Sequence, residues 1–527
     1  MTNFTRRSAL MLGGGAAMGL FVGPRGLRAQ DNSLFRFVPH AALRVLDPVS
    51  TPAYITRDHG HMVYDQLFSL DATYQPTPQM VETWEESPDH LSWTFTLREG
   101  LAWHDGPPVT AEDCIASIAR WGKRDIVGLR LSRAISAMTA LDARTFRIEL
   151  TEPFGIMLEA LAKVSSIPLF MMPKRFGETP PEQALTEVVG SGPFKWVPEA
   201  FDPGAKWAYL RNDAYIPRDE PPSGMGGGKV PMVERFEVTT FPSMQTALAA
   251  LQNGEVDAVE SFGVDSLPLV SGNPDITTAK LVMPTAPTIR MNWAQPPFSD
   301  VRARRAVQAA VTQADYLAAA VGDPEHYMTC PAIFGCGTAL ETDAGVVDKG
   351  QPDMEKAKAL LAESGYDGAT VVLINPTDLA SFQPLAALTT QVLTDLGMTV
   401  DVQGMDWNSF LSRRTITAPP SEGGWNIAHA VFGQLDFNSP LTNPNFDARG
   451  LKGYTGFVDD PKTEELKTAF QRAGSLEERQ AIAKEMQIRA YDQVFYIPLG
   501  NYFAYTAQRA NVTRVRSPLP VGWGAHF

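Results

Sequence analysis

Between Thr370 and Gln403 the chain reads as strand, helix, strand. TVVLI is an unbroken apolar run of the buried-strand type. From Pro384 to Leu396, the residues Leu385, Leu388, Val392 and Leu396 recur on one helical face, and MTVDVQ follows as the next strand. Two neighbouring parallel strands need a crossover between them, so this run commits the region to a layered α/β fold. The same style appears earlier. VERFEVTTF reads as a strand, MQTALAALQ as a helix stopped near Asn253-Gly254, and VDAVES as a second strand.

A different pattern interrupts the α/β units near the start. In LSWTFTLREG, Trp93, Phe95 and Leu97 alternate with Ser92, Thr94 and Thr96, the period of a half-buried strand. TFRIELT, from Thr145 to Thr151, alternates in the same way. Thr110-Ala-Glu-Asp113 has the spacing of a capping box and predicts a helix running through Trp121. Farther on, VRARRAVQAAVTQADYLAAAV predicts one amphipathic helix with Val307, Ala310, Val311, Ala314, Leu317 and Val321 on a stripe. TEELKTAFQRAGSLEERQAIAKEMQIRAYDQV predicts a helical hairpin, and FYIPLGNYFAYT a return to strand. At 527 residues the chain is long enough for a large two-lobed α/β body with a cleft between the lobes.

The formal net charge of −14 disfavours a duplex nucleic acid partner, which would call for a basic face. The first residues form an address. Arg6 and Arg7 are followed by an uncharged stretch from Ser8 to Pro24, broken by Gly13, Gly14 and Gly15. It is too short and too flexible for a good membrane anchor. Residues 1–29 are therefore expected to be a cleaved signal peptide of the twin-arginine type, placing the mature chain in the periplasm. Cys330 and Cys336 flank the short loop CPAIFGC, where a disulfide is expected in an oxidising compartment, the alternative being a metal pair short of further ligands. Cys114 is left over in an apolar helix, as an inert buried thiol.

Several blocks, in order, resemble one family. The block from Met62 to Cys114, MVYDQLFSLDATYQPTPQMVETWEESPDHLSWTFTLREGLAWHDGPPVTAEDC, is similar to the signature block of the family 5 extracellular solute-binding proteins. GSGPFKW, LRNDAYI, ALQNGEVDAVES, IRMNWAQPPFSDVRARRAVQAAV, MEKAKALLAESGY and YIPLGNYF continue the likeness over nearly the whole mature chain. That family includes dipeptide-, oligopeptide- and nickel-binding components of ABC importers. The resemblance implies a two-lobed periplasmic binding protein fold of the class II type with an extra subdomain in lobe I. Lobe I is expected over 31–280, with the subdomain at about 61–190, lobe II over 285–500, and a C-terminal return to lobe I over 501–527. It also implies a receptor that closes by hinge motion on a peptide or peptide-like solute and delivers it to permease subunits in the inner membrane. It implies no enzyme, no cofactor, no resident metal, and a monomer.

The resemblance also points to site residues. Dipeptide-type relatives carry an Asp four residues before a Pro, where it pairs with the ligand's amino terminus, and Asp436 and Pro440 have that spacing. A capping or turn role is the alternative. Trp425, Asn426 and Phe432 precede it, and Trp407 and Asn408 follow a strand. Aromatic side chains wall such clefts with large apolar area, although core packing is the competing role for each. His40, Leu46 and Asp47 fall on an irregular segment that contributes to the site in relatives, with a turn as the alternative for Asp47-Pro48. Asn292 and Trp293 complete the candidates. No arginine stands out as a partner for a ligand carboxylate. A receptor for a nickel or other metal chelate is the alternative within the family, with His429 near the predicted cleft. An exported hydrolase is disfavoured by the early β-rich block and the missing catalytic constellation.

Other motifs have bland readings. SGMGGGKV lacks the first Gly and the final Ser/Thr of a phosphate-binding loop, and residues 217–231 are expected to form a mobile surface loop. His59 and His61 are expected as packing or turn histidines, His104-Asp105 as structural, and the VRARRAV run as facing water.

Overall fold

The structure, a computed structural model, describes residues 33–347 and 350–527, without the side chains of residues 380 and 408. The expected signal over 1–29 lies outside the described residues, as does the side chain of Asn408. Two seven-stranded sheets organise the chain. In the first, the order is Ile276–Lys280, Tyr505–Arg509, Ala258–Phe262, Leu34–Val38, Arg235–Thr239, Lys206–Arg211, Phe194–Trp196. Leu34–Val38 runs parallel to both of its neighbours, and the flanking strands are antiparallel. In the second, the order is Tyr327–Met328, Asn501–Tyr502, Thr285–Met291, Ile427–Gly433, Val371–Pro376, Val400–Met405, with Ile497–Pro498 also pairing with Thr285–Met291. The strand–helix–strand unit read from Thr370 to Gln403 forms as a parallel pair crossed by the helix Gln383–Asp395.

The chain passes between the sheets twice, and the two passes run side by side. Leu281 N donates to Ala504 O at 2.9 Å, and Thr285 pairs with Tyr502. Asn501–Tyr502 still belongs to the second sheet, because Tyr502 also pairs with Tyr327. The chain thus re-enters the first lobe's sheet at Tyr505, not at residue 501.

A four-stranded antiparallel sheet, Val81–Glu86, Ser92–Leu97, Thr145–Leu150, Ile135–Ala140, builds the early β-rich block. The alternation in Ser92–Leu97 is realised: Trp93, Phe95 and Leu97 are buried while Ser92, Thr94 and Thr96 are half-buried. Thr110 and Asp113 cap the helix Ala111–Trp121 reciprocally. The core of this block continues into the helical hairpin Pro461–Arg472 and Leu476–Gln493 through Phe470, Met486 and Tyr491. Across that junction Gly155 N donates to Gln471 O at 2.8 Å, and Arg130 pairs with Glu464 at 2.8 Å. A Cβ on Gly155 would stand 2.0 Å from Ala473 O, so only glycine fits this approach.

Three sequence expectations change. The helix over 301–321 is two helices, Val301–Ala310 and Gln313–Val321, because Thr312 turns extended and its hydroxyl caps the second by accepting from Asp315 N. The basic run does not all face water: Arg304 is buried, donates to Phe298 O at 2.7 Å, and lies 3.5 Å from the centre of the Trp293 ring. The glycine-rich stretch is not a surface loop over its whole length. Gly224 to Lys229 are buried, and Lys229 Nζ meets Asp65 Oδ1 at 2.8 Å with both side chains 1% exposed. A buried ammonium needs such a partner, and the glycines let the backbone come close enough to deliver it. His59 and His61 are packing residues, bonded to Tyr209 Oη and Val164 O.

Candidate ligand-binding site between the lobes

A cavity of about 480 Å³ opens between the two sheets at the paired crossings. Its walls come from both lobes, from the crossing segment Leu281–Pro284, and from the C-terminal stretch Arg514–Val521. The first lobe supplies His40, Tyr54, Arg57 and Glu260, and the second supplies Val431, Phe432 and Gly433. His40 lies just past the C-terminal end of the parallel strand Leu34–Val38, the position where open α/β sheets leave a crevice.

Tyr54 and Arg57 are one turn apart on the helix Tyr54–Val63 and so share a face. The Arg57 guanidinium lies 4.2 Å from the centre of the Tyr54 ring. It donates to Asp58 Oδ1 at 2.8 Å and to Ser165 Oγ at 3.0 Å. Ser165 Oγ in turn donates to Asp436 Oδ1 at 3.1 Å, and the Tyr54 hydroxyl donates to Asp436 Oδ2. Burial first, and then the Asp436 charge, hold the Tyr54 phenol well above its usual range, so it stays a donor. Burial works against the charge on Arg57, and Asp58 first, then Tyr54 and Asp436, more than offset it.

On the same wall, His40 Nδ1 lies 2.6 Å from Glu260 Oε1. Burial lowers the imidazole's basicity, but Glu260 outweighs it and the pKa stands above the usual value. Asp58 is raised, by burial first, with Arg57 opposing and Glu260 adding to the rise. Arg514 is pushed down to about 10 by desolvation. It donates to Gln508 Oε1 at 2.8 Å and to Thr506 Oγ1 at 2.6 Å.

The expected site residues divide. His40 and Phe432 line the cavity, and Asp436 lies buried behind Tyr54 with two hydroxyls on its carboxylate. The others lie elsewhere. Trp425 is fully buried in the second lobe's core against Phe457, its Nε1 donating to Arg414 O at 3.1 Å. Asn426 accepts from Val372 N at 2.8 Å and donates to Pro296 O at 2.7 Å, tying the strand Val371–Pro376 to the turn at Pro296. Trp407 stacks on Phe410, and Trp293 lies under Arg304. Asp47 accepts from Arg120 at 3.1 and 2.6 Å and from Val49 N and Leu185 N, forming a buried ion pair within the first lobe. Trp425 and Trp407 thus serve packing, the role that competed with a cleft wall for each. His429 also turns away: its Nε2 bonds Thr389 Oγ1 at 2.8 Å, and burial pushes it down to about 3. Cys330 and Cys336 are bonded, with Cα atoms 5.8 Å apart, which removes the metal-pair alternative.

Sequence reasoning missed Tyr54, Arg57, Glu260 and Arg514. One signal was present for Arg57 and Asp58. An Arg-Asp pair set in the stretch ITRDHGHMV, which buries every residue from Ile55 to Val63, demands a specific electrostatic environment.

A hinge cavity walled by two α/β lobes defines a binding protein of the two-lobed class. The model of the bacterial extracellular solute-binding proteins, family 5 (middle), matches residues 75–450, and the chain belongs to that family. It is 36% identical over 486 residues to the probable peptide ABC transporter periplasmic-binding protein y4tO of Sinorhizobium fredii (strain NBRC 101917 / NGR234), covering 91% of each. It is 24% identical to the periplasmic oligopeptide-binding protein OppA of Salmonella typhimurium, covering 88% of each. The fold superposes on the periplasmic binding protein DppA from Helicobacter pylori in complex with peptide STSA, with a TM-score of 0.76 at 20% identity, over 94% of this chain and 98% of that one.

Proposed function

We propose that this chain is the solute receptor of an ABC importer, closing its two lobes on a peptide or peptide-like small molecule and presenting it to membrane permease subunits. The observation that carries the reading is the cavity at the paired crossings, lined from both lobes, because a guest there touches both walls only when they are together. Closure then follows from the guest's stronger binding to the closed form. The likeness to y4tO, a probable peptide ABC transporter periplasmic-binding protein, and to the oligopeptide-binding protein OppA favours a peptide-like cargo. In this reading the protein acts in the periplasm as a monomer, is exported through the twin-arginine-type segment 1–29, and releases its cargo unchanged. Lobe I takes about 31–280 with its subdomain at about 61–190, and lobe II about 285–500.

Native mass spectrometry of gently purified protein tests it. A retained small molecule, or saturable binding within a panel of peptides, opines and amino-acid derivatives, supports the reading. An empty protein that binds none of the panel, nor sugars, overturns it.

A further inference from the structure

Three donor side chains from three separate elements meet on the first lobe's wall of the cavity. His40 follows the strand Leu34–Val38, Asp58 lies on the helix Tyr54–Val63, and Glu260 lies on the strand Ala258–Phe262. The parallel pairing of the two strands, Val38 against Val259, brings His40 to Glu260. One donor atom from each of the three lies within 4.8 Å of the others. His40 Nδ1 is 2.6 Å from Glu260 Oε1 and 3.8 Å from Asp58 Oδ2.

The second observation concerns Asp58. Its Oδ1 accepts from Arg57, but its Oδ2 is buried without a hydrogen-bond partner, on a residue only 6% exposed. A buried carboxylate oxygen left in this state is unfavourable, and it is directed at His40. We propose that His40, Asp58 and Glu260 form a binding site for a borderline divalent transition-metal ion such as Zn2+ or Ni2+. One imidazole and two carboxylates suit such ions, and neither Mg2+ nor Ca2+ favours an imidazole ligand. With His40 neutral, Asp58 and Glu260 present two negative charges to the cation, with Arg57 bonded to Asp58 and Arg514 interacting with Glu260. His40 and Glu260 both line the cavity, so the ion has an open side toward the guest. An amine or carboxylate of a chelating guest can complete its coordination there. Capture of the ion by the three side chains does not itself require a guest.

The test uses the full mature chain without a polyhistidine tag, stripped with a chelator and titrated calorimetrically with zinc chloride and, separately, nickel chloride. The wild type is expected to bind a single equivalent. Asp58→Asn and Glu260→Gln are expected to weaken binding by about tenfold or more. His90→Ala, which removes the exposed His90–Glu86 pair, is expected to bind like the wild type. Cobalt substitution gives a second readout, since the visible bands of the bound ion change when a ligand is lost. His40→Ala replaces either carboxylate variant that fails to fold by circular dichroism. No binding by the folded wild type, or equal binding by all variants, overturns the site. A chain that captures solute but no metal rejects this site alone, and one that binds metal but no solute rejects the transport reading alone.

Discussion

Tyr54 of the first lobe donates its hydroxyl hydrogen to Asp436, which follows the second lobe's strand Ile427–Gly433. The bond crosses the mouth of the hinge, and Ser165 holds the other carboxylate oxygen. Asp436 is therefore a clasp between the lobes in this structure. A guest that reaches for its charge must compete with two hydroxyl groups that belong to the protein.

Tyr54→Phe removes one arm of that clasp. A hydrogen bond to a carboxylate contributes about 1.5–3 kcal/mol, enough to shift the lobe equilibrium by about tenfold or more. Small-angle scattering of the solute-free variant is expected to give a larger radius of gyration than the wild type. Superimposable profiles would show that the bond does not hold the lobes.

Asp47 and Arg120 are buried together, at 0% and 1% side-chain exposure. Asp47→Ala strands a guanidinium in the first lobe and is expected to lower unfolding stability by about 3–5 kcal/mol. Urea denaturation measures it. Because Asp47 is away from the cavity, scattering of the folded variant is expected to match the wild type, and an altered lobe equilibrium would contradict that placement.

His429 is buried and His104 half-buried, and desolvation holds them down to about 3 and about 4. Their folded values lie below the ordinary 6.5, so between 6.5 and those values the unfolded chain takes up protons that the folded chain refuses. Stability therefore falls as the pH drops through this window, by up to about 1.4 kcal/mol per pH unit for each group. His429→Gln is expected to flatten the fall in melting temperature between neutral pH and pH about 4. Parallel curves for variant and wild type would remove His429 from the account.

The thiol count follows from the cysteine arrangement. Cys330 and Cys336 are bonded, and Cys114 is fully buried with its thiol pushed up by desolvation. A thiol reagent is expected to find nothing in the native protein, only Cys114 after denaturation, and all three cysteines after reduction as well. Replacing Cys330 and Cys336 by serine opens a short loop and is expected to cost about 2 kcal/mol of stability.

Local periodicity carried much of the fold. The alternation of Trp93, Phe95 and Leu97, the Thr110–Asp113 cap and the hairpin over 461–493 are each decided within a few residues, and each forms as read. What failed depended on distant partners. Lys229 looks like a loop residue until Asp65, far away in sequence, is brought beneath it. Arg304 sits in a basic run, but its position is decided by Trp293 and by Phe298 O. The site divides along the same line. Phe432, read as an aromatic wall of the cleft, and His40, read through the family resemblance, both line the cavity. Trp425 and Asn426 sit two and one residues before the same strand and point into the core, a choice of face that composition does not encode. Glu260 was invisible because only the completed sheet sets it beside His40.

The strand Tyr505–Arg509 is inserted between Ala258–Phe262 and Ile276–Lys280, two strands made some two hundred residues earlier. A nascent chain that has not yet released its last two dozen residues holds a first sheet split by an unfilled slot. Ribosomal order thus leaves the earliest half of the molecule waiting for the latest part, and a premature stop near the end is expected to abolish the receptor as a whole instead of trimming its edge.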